Sequence, residues 1–344
     1  DYGMGFADLE GTPASGVFEP QDGFRFRRAR LYFRGDFFKA VEFELSLDFS
    51  AGVVAFREAS FGVKAGPGSI RLGQFKAPFS FEELTFSNDI PFMERAFVAQ
   101  LFAPTFQTGV AYMAALADDM FNFSAGVFGQ TNDVGFTTNR DIFLLALRMW
   151  FSLLNDDSSS DLHIGLGVNQ WVLNGAVQDR LGDRIIDRNF TGAEVLDGVT
   201  LLGFEFAYAM EALRVMAEFG GALTSPNTGD SRFLWAFHVT VGYILNGGKA
   251  RYDKGAGRMQ NPKVAEPFGG TSGGSGLFEI LARFEMADIS DGLASSDGFS
   301  ALQAVLGFNW YMSNNLRLLT TLSAANVPGN GTYFLAGFRF QVAL

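Results

Sequence analysis

From Val41 to Phe49 hydrophobic and polar residues alternate without a break. Val41, Phe43, Leu45, Leu47 and Phe49 fall on one face of an extended chain, and Glu42, Glu44, Ser46 and Asp48 on the other. The run before it sets Ala29, Leu31 and Phe33 against Arg28, Arg30, Tyr32 and Arg34, with Gly35-Asp36 as a turn, so the two runs predict a hairpin. The pattern persists to the end of the chain. Phe278, Ile280, Ala282, Phe284 and Met286 oppose Glu279, Arg283 and Glu285, and Phe334, Ala336, Phe338, Phe340, Val342 and Leu344 oppose Gly337, Arg339 and Gln341. Segments of this kind predict strands over 24–34, 40–50, 54–65, 69–76, 107–116, 120–129, 141–152, 161–170, 183–190, 199–210, 212–223, 232–245, 276–287, 299–311, 315–324 and 332–344. These are sixteen strands of about the 10-residue length that crosses a bilayer at a tilt.

Two architectures alternate in this way. In a soluble β-sandwich the apolar face is an interior, and edge strands carry charge or proline. In a sixteen-stranded sheet closed on itself the lumen is too wide for side chains to fill, so the polar face turns inward and the oily face outward. Composition decides between them. The chain holds 39 Phe against 8 Tyr and 4 Trp; Phe is bulk without a hydrogen-bonding group, and a hydrocarbon surface accepts bulk without close fit. The reading is all-β: a transmembrane antiparallel β-barrel of 16 strands over 24–344. Ahead of it, 1–23 reads as an irregular segment, broken by Gly11, Pro13, Gly16, Pro20 and Gly23. That segment is either a periplasmic tail or a piece tucked into the barrel mouth. Part of the set Tyr112, Trp150, Trp171, Tyr208, Trp235, Tyr243, Trp310 and Tyr311 is expected in the interfacial girdles.

Charge and residue usage narrow the function. The longest uncharged stretch, Ala96 to Ala117, is interrupted by Gln100, Pro104, Gln107 and Gly109, so no apolar helix spans a membrane. No basic-plus-apolar leader opens the chain, and the sequence from Asp1 reads as a trimmed form. A net charge of −11 argues against a nucleic-acid partner. Zero cysteine removes disulfides, Cys-ligated zinc and thiol catalysis together. The two histidines, His163 and His238, stand far apart in strand patterns, so they read as wall residues and no enzyme is expected. Asn155-Asp156-Asp157-Ser158 to Asp161 and Asp288 to Gly292 offer oxygens of the kind Ca²⁺ takes, without the spacing of a calcium loop. Solvated turns are expected there, and no metal or cofactor.

Three connections exceed turn length: 77–106, 171–182 and 246–275. The first is apolar for a loop, with Phe79, Phe81, Phe86, Phe92, Met93, Phe97, Leu101 and Phe102 among Glu82, Glu83, Asp89, Glu94 and Arg95, which predicts burial in the barrel interior. The run from Phe24 to Leu31, the stretch Gly73-Gln74-Phe75-Lys76-Ala77-Pro78-Phe79-Ser80-Phe81-Glu82-Glu83-Leu84-Thr85 with Ser87-Asn88-Asp89 and Phe92-Met93-Glu94-Arg95, and the late Gly307-Phe308-Asn309-Trp310-Tyr311 resemble the phosphate-selective porin O and P family. The resemblance spans 24 to 344. It implies a bacterial outer-membrane porin, a homotrimer among lipid and lipopolysaccharide, with 77–104 as a constriction loop. Two departures stand out: the six lysines, Lys39, Lys64, Lys76, Lys249, Lys254 and Lys263, form no cluster, and the last residue is Leu344, not an aromatic.

With polar faces inward, the wall carries Arg28, Arg30, Arg34, Arg71, Arg148, Arg214, Arg283, Arg317 and Arg339 against a near-equal acidic set that includes Glu42, Glu44 and Glu218. Two readings follow: an anion path along guanidinium forks, or Arg–Glu pairing between neighbouring strands. Arg28, Arg30 and Arg34 facing Glu42, Glu44 and Asp48 favour pairing at that place. The loop groups Glu82, Glu83, Asp89, Glu94 and Arg95 either set a transverse field across the bore or serve turns within the loop. The expected function is passive diffusion of small hydrophilic solutes and ions, with an anion or phosphate preference implied by the resemblance. The alternative is a non-conducting barrel plugged by its own loops, serving as scaffold or receptor.

Overall fold

The computed structural model describes residues 2–8, 21–38, 40–50, 52, 54–129, 142–154, 160–173, 196–270, 273–290, 300–327 and 331–343. Its strands are β1 (Tyr2–Asp8), β2 (Gln21–Phe26), β3 (Arg30–Phe37), β4 (Val41–Asp48), β5 (Ala55–Ala65), β6 (Gly68–Lys76), β7 (Phe106–Leu116), β8 (Phe121–Gly129), β9 (Phe143–Leu154) and β10 (Ser160–Val172). They continue with β11 (Leu196–Met210), β12 (Leu213–Pro226), β13 (Phe233–Ile244), β14 (Arg251–Asp253), β15 (Arg258–Gln260), β16 (Leu277–Asp288), β17 (Ser300–Tyr311), β18 (Leu316–Val327) and β19 (Gly331–Val342). Two short helices, α1 (Phe81–Leu84) and α2 (Phe97–Phe102), lie in the connection from β6 to β7.

Antiparallel ladders join β3 through β13 in chain order and carry on through β16, β17, β18 and β19. β19 pairs with β1, and β1 pairs on its other edge with β2, so the two ends of the wall meet. β2 runs on into β3 across Arg27–Ala29, making one interrupted wall strand. β14 and β15 form a separate hairpin within 246–275.

The wall corrects the expected strand list at its start. Residues 1–23 are not wholly irregular: Tyr2–Asp8 is a wall strand, because β19 and β2 offer it an edge on each side. The single strand expected over 24–34 is two pieces. The strand expected over 183–190 lies outside the described residues, but β10 pairs directly with β11, so the wall passes between them with nothing inserted. Seven wall strands, β7 to β13, therefore separate 77–105 from 246–275, and an odd number places these connections at opposite ends of the barrel.

The faces are inverted relative to a soluble protein. On β10, Ile164, Leu166 and Val168 are exposed, whereas His163, Asn169 and Trp171 are buried. On β16, Ile280 and Phe284 face out, with Glu279, Arg283 and Glu285 buried opposite them. Hydrocarbon as the outer solvent accounts for this polarity. Trp150, Trp171 and Tyr311, candidates for the girdle, are buried inside; Arg148 stacks 4.4 Å from the Trp150 ring.

Loop 77–105 enters the lumen through a narrow neck, the Ala77 N–H bonding to the Thr105 carbonyl at 2.9 Å. Ser80 and Thr105 bracket it with left-handed φ of 65° and 53°, values that turn the chain sharply at some cost for residues with a Cβ. The loop rests on a row of small side chains, since Gly167, Gly203, Gly220, Ala236 and Ala287 are successive register partners across β10, β11, β12, β13 and β16. A Cβ on Gly167 or Gly203 would come within 3.2 or 3.1 Å of the Phe79 ring, and one on Gly220 within 2.8 Å of Val98.

Leu202 is exposed near the middle of β11. Leu202→Arg is expected to destabilise the barrel by about 2–4 kcal/mol in lipid vesicles, as measured by equilibrium unfolding in denaturant. No loss in that assay would mean this face does not meet hydrocarbon.

Candidate functional site

The wall reaches the loop mainly through backbone groups. Glu218 of β12 accepts the Phe81 N–H at 2.5 Å and the Glu82 N–H at 3.1 Å, capping the free start of α1. Glu285 of β16 accepts the Phe97 N–H at 2.8 Å at the start of α2. Glu82 reaches across to accept the Ala96 N–H at 2.6 Å, while its other oxygen pairs with Arg283 at 2.5 Å. Carbonyls are held in the opposite sense. Arg317 donates to the Asn88, Ile90 and Pro91 carbonyls, Arg339 to that of Met93, and Arg95 to those of Glu82, Glu83 and Thr85.

Glu82, Glu218 and His238 bring possible metal-ligand atoms within 4.8 Å of one another. Their oxygens already accept three loop N–H groups, Arg283 and His238 Nε2, so the donor set serves the loop and does not fit a resident cation.

The second inward segment, 246–275, starts at the end of the barrel with the short turns and folds up into the lumen. Trp150 donates to the Lys254 carbonyl at 3.0 Å, Arg148 to that of Gly257 at 2.9 Å, and Tyr252 bonds His163 Nδ1 at 2.6 Å. The two segments lock together where the Asn261 side chain donates to the Asn88 carbonyl and its N–H to Asp89. Burial raises the Asp89 pKa, against the Asn261 N–H and Arg317, which lower it.

Arg148, Arg214, Arg283, Arg317, Arg339 and Glu218 are thus buried struts. Arg148 grips Glu205 and Arg214 grips Glu279 at 2.6 Å. Inward side chains that stay exposed cluster on β2 to β6, which marks the remaining open space. There Arg34, paired with Glu44, is 49% exposed, and Arg71, bound to Glu44 and Glu58, is 25% exposed. Arg30 bonds Asp48 at 2.7 Å, and Glu42 stands exposed near the β3–β4 turn. Lys76 donates to the Glu83 carbonyl and pairs with its carboxylate, which also meets Arg95.

Glu94 projects from the loop into this space. Arg27 clasps it with bonds of 2.8 and 2.9 Å, and Arg339 lies 3.6 Å away. Burial raises the Glu94 pKa, but the Arg27 bond and charge, with Arg339 and Arg28, outweigh it and hold the carboxyl at about 2. Arg28 is buried within electrostatic reach of Arg339, Arg27, Arg95 and Arg30.

The sequence pattern does not single out Arg27, Arg57, Lys76, Tyr252 and Asn261 as site residues; Arg57 lies 3.8 Å from Asp48, and Arg27 is visible only within the Phe24–Leu31 run. Of the acidic tracts considered for Ca²⁺, 155–159 and 291–292 lie outside the described residues, and Asp288 accepts from Ser290.

Comparison with known proteins agrees with this geometry. Among solved structures, the high-pH form of Pseudomonas putida OprB is 12% identical with a TM-score of 0.61, covering 99% of this chain and 91% of that one. An anion-selective porin from Comamonas acidovorans is 13% identical with a TM-score of 0.56, covering 99% and 95%. The trimer form of Vibrio cholerae OmpT is 12% identical with a TM-score of 0.54, covering 98% of each chain. Identities this low speak for the fold alone. An uncharacterised protein of Caulobacter vibrioides is 25% identical over 288 residues, which are 78% of this chain and 56% of that protein, so the match spans little more than half the relative's length. The family described as phosphate-selective porin O and P matches residues 4–332, nearly the whole sequence, and the chain belongs to that family.

Proposed function

We propose that the protein is a passive diffusion channel of the bacterial outer membrane for small hydrophilic solutes and ions, with a preference for anions. The observation that carries this reading is the charge around the open space beside β2 to β6. Arg27, Arg28, Arg30, Arg95 and Arg339 gather there against Asp48, Glu83 and Glu94. With Arg34, Arg57, Arg71 and Lys76 against Glu42, Glu44 and Glu58 in the same space, nine cationic groups face six carboxylates and leave a cationic eyelet, which enriches anions locally. Guanidinium forks also match the geometry of phosphate oxygens. The name of the Comamonas porin as anion-selective and the family description point the same way.

The channel is a homotrimer in this reading, and the contact lies over β3 to β5. Eight-residue β4 extends about 26 Å and, tilted by about 45°, covers less than the roughly 25 Å apolar band. Leu31, Phe33, Phe37 and Phe61 are exposed on this low side, where neighbouring subunits would cover them in place of lipid. The trimer form of the Vibrio barrel supports this arrangement.

Reversal potentials in planar bilayers under a KCl gradient test the reading. Conduction in three equal steps with anion preference is expected; cation preference would refute the charge argument, and no conduction from folded protein would favour a plugged scaffold. Glu94→Gln is expected to raise the Cl⁻/K⁺ permeability ratio about three- to sevenfold, as a change of half to one kT in local potential requires. Because Glu94 stays ionised above its pKa of about 2, the difference from wild type should persist at acid pH well above that value. Arg317→Ala removes a strut under Ile90 and Pro91, so larger, noisier conductance is expected with little change in reversal potential.

A further inference from the structure

Beside the Gly/Ala row on which the loop rests runs a second row, of ionisable groups. Glu205, Glu218, His238 and Glu285 are successive register partners on β11, β12, β13 and β16. Glu82 comes onto this row from α1, with its carboxylate 4.0 Å from His238 Nε2. The groups facing the row from the packed elements are Arg148 of β9, His163 of β10, Thr240 of β13, Arg283 of β16 and Tyr252 of the inward hairpin. Every ionisable side chain on the wall side is buried, as is Glu82.

The charges do not balance by themselves. Glu82, Glu205, Glu218 and Glu285 are four carboxylates. The guanidiniums among them are Arg148, on Glu205, and Arg283, on Glu82. With both imidazoles neutral the group carries a net charge of −2; with both protonated it carries none. Tyr252 does not correct the balance, since a phenol is neutral when protonated and burial raises its pKa. The loop N–H groups of Phe81, Glu82 and Phe97 offset part of the excess, while docking adds the Glu82 carboxylate to the row and shuts water out of it, both of which favour bound protons. Like charges on directly opposed positions of adjacent strands lie about 5 Å apart and repel, more strongly without water.

We propose that this row is a proton latch: it holds protons while loop 77–105 is docked, and their loss as pH rises frees α1 and α2 from β12, β13 and β16 and widens the aperture. The sign follows from linkage. Groups that bind protons more tightly in the docked state stabilise docking at lower pH, and that contribution is lost as pH rises. Glu218 bonds His238 Nε2 at 3.1 Å, His238 is the register partner of Glu285, and both carboxylates bond loop N–H groups, so a change of charge at one position is felt along the row and by the loop.

The inference rests on the channel reading for its effect on the bore, but docking can be measured without conduction. Hydrogen exchange on the folded full chain in lipid nanodiscs reads the Phe81, Glu82, Ala96 and Phe97 amides, corrected for intrinsic rates, from about pH 6 to about pH 10. Their protection is expected to fall about tenfold or more across a titration-like step. The step should move to higher pH in Glu285→Gln, which removes one negative charge, and conductance should rise over the same interval. Gln keeps an acceptor oxygen for the Phe97 N–H, and heat-modifiable gel migration checks that the variant has folded. Protection that stays level in wild type overturns the latch, as does an unshifted step in a folded Glu285→Gln. If that variant does not fold, His238→Gln takes its place: removing the imidazole between Glu218 and Glu285 should shift or abolish the step, and an unchanged step overturns the latch. A protein that shows the shifted step but never conducts keeps the latch and loses the channel reading.

Discussion

Loop 77–105 carries a run of peptide groups into the lumen, and the structure depends on how the wall satisfies them. An unpaired buried N–H or C=O costs about 1–3 kcal/mol, so a loop of this length cannot lodge there without partners. Glu218 and Glu285 supply acceptors, and Arg317, Arg339 and Arg283 supply donors. The charged inner face that a bilayer forces on a barrel is thereby turned to holding protein backbone. Since the strongest holds are on β12 to β19, the loop leans to that side, and the open space remains along β2 to β6.

This division sorts the arginines. Arg317 and Arg34 follow the same period-two rule, yet one is buried under three loop carbonyls and the other is half exposed beside Glu44. Period two identifies the inward face; it says nothing of what meets a side chain there. The partners of Glu218 and Arg283 lie 137 and 201 residues away in sequence, and no local pattern carries such pairings. The pairing expected near the start of the chain was more legible, because Arg34 and Glu44 face each other across one hairpin.

The dock itself left a trace in the sequence. Gly203-Phe204-Glu205, Glu218-Phe219-Gly220, Ala236-Phe237-His238 and Glu285-Met286-Ala287 each place a small and an ionisable residue on the inner face, two apart, around an outward apolar residue. Antiparallel register lines these triplets into the Gly/Ala row and the Glu/His row. Strand limits were legible for much the same reason, with 54–65 expected and Ala55–Ala65 observed. The end of the barrel from which 246–275 enters is not legible, because period two offers 183–190 as a strand and gives no sign of β1, which leaves the count at sixteen but changes its parity between the two long connections.

In the proposed channel, solutes pass beside β2 to β6 and not along the packed β9 to β18 side. The natural absence of cysteine allows a direct test with single introduced thiols at Arg34→Cys and at Met216→Cys, the latter inward but buried beside Phe81. A charged, water-soluble thiol reagent applied to open channels should sharply reduce current through Arg34→Cys and leave Met216→Cys unchanged. Modification of Met216→Cys with equal block, or none at Arg34→Cys, would mean that solutes do not pass beside β2 to β6.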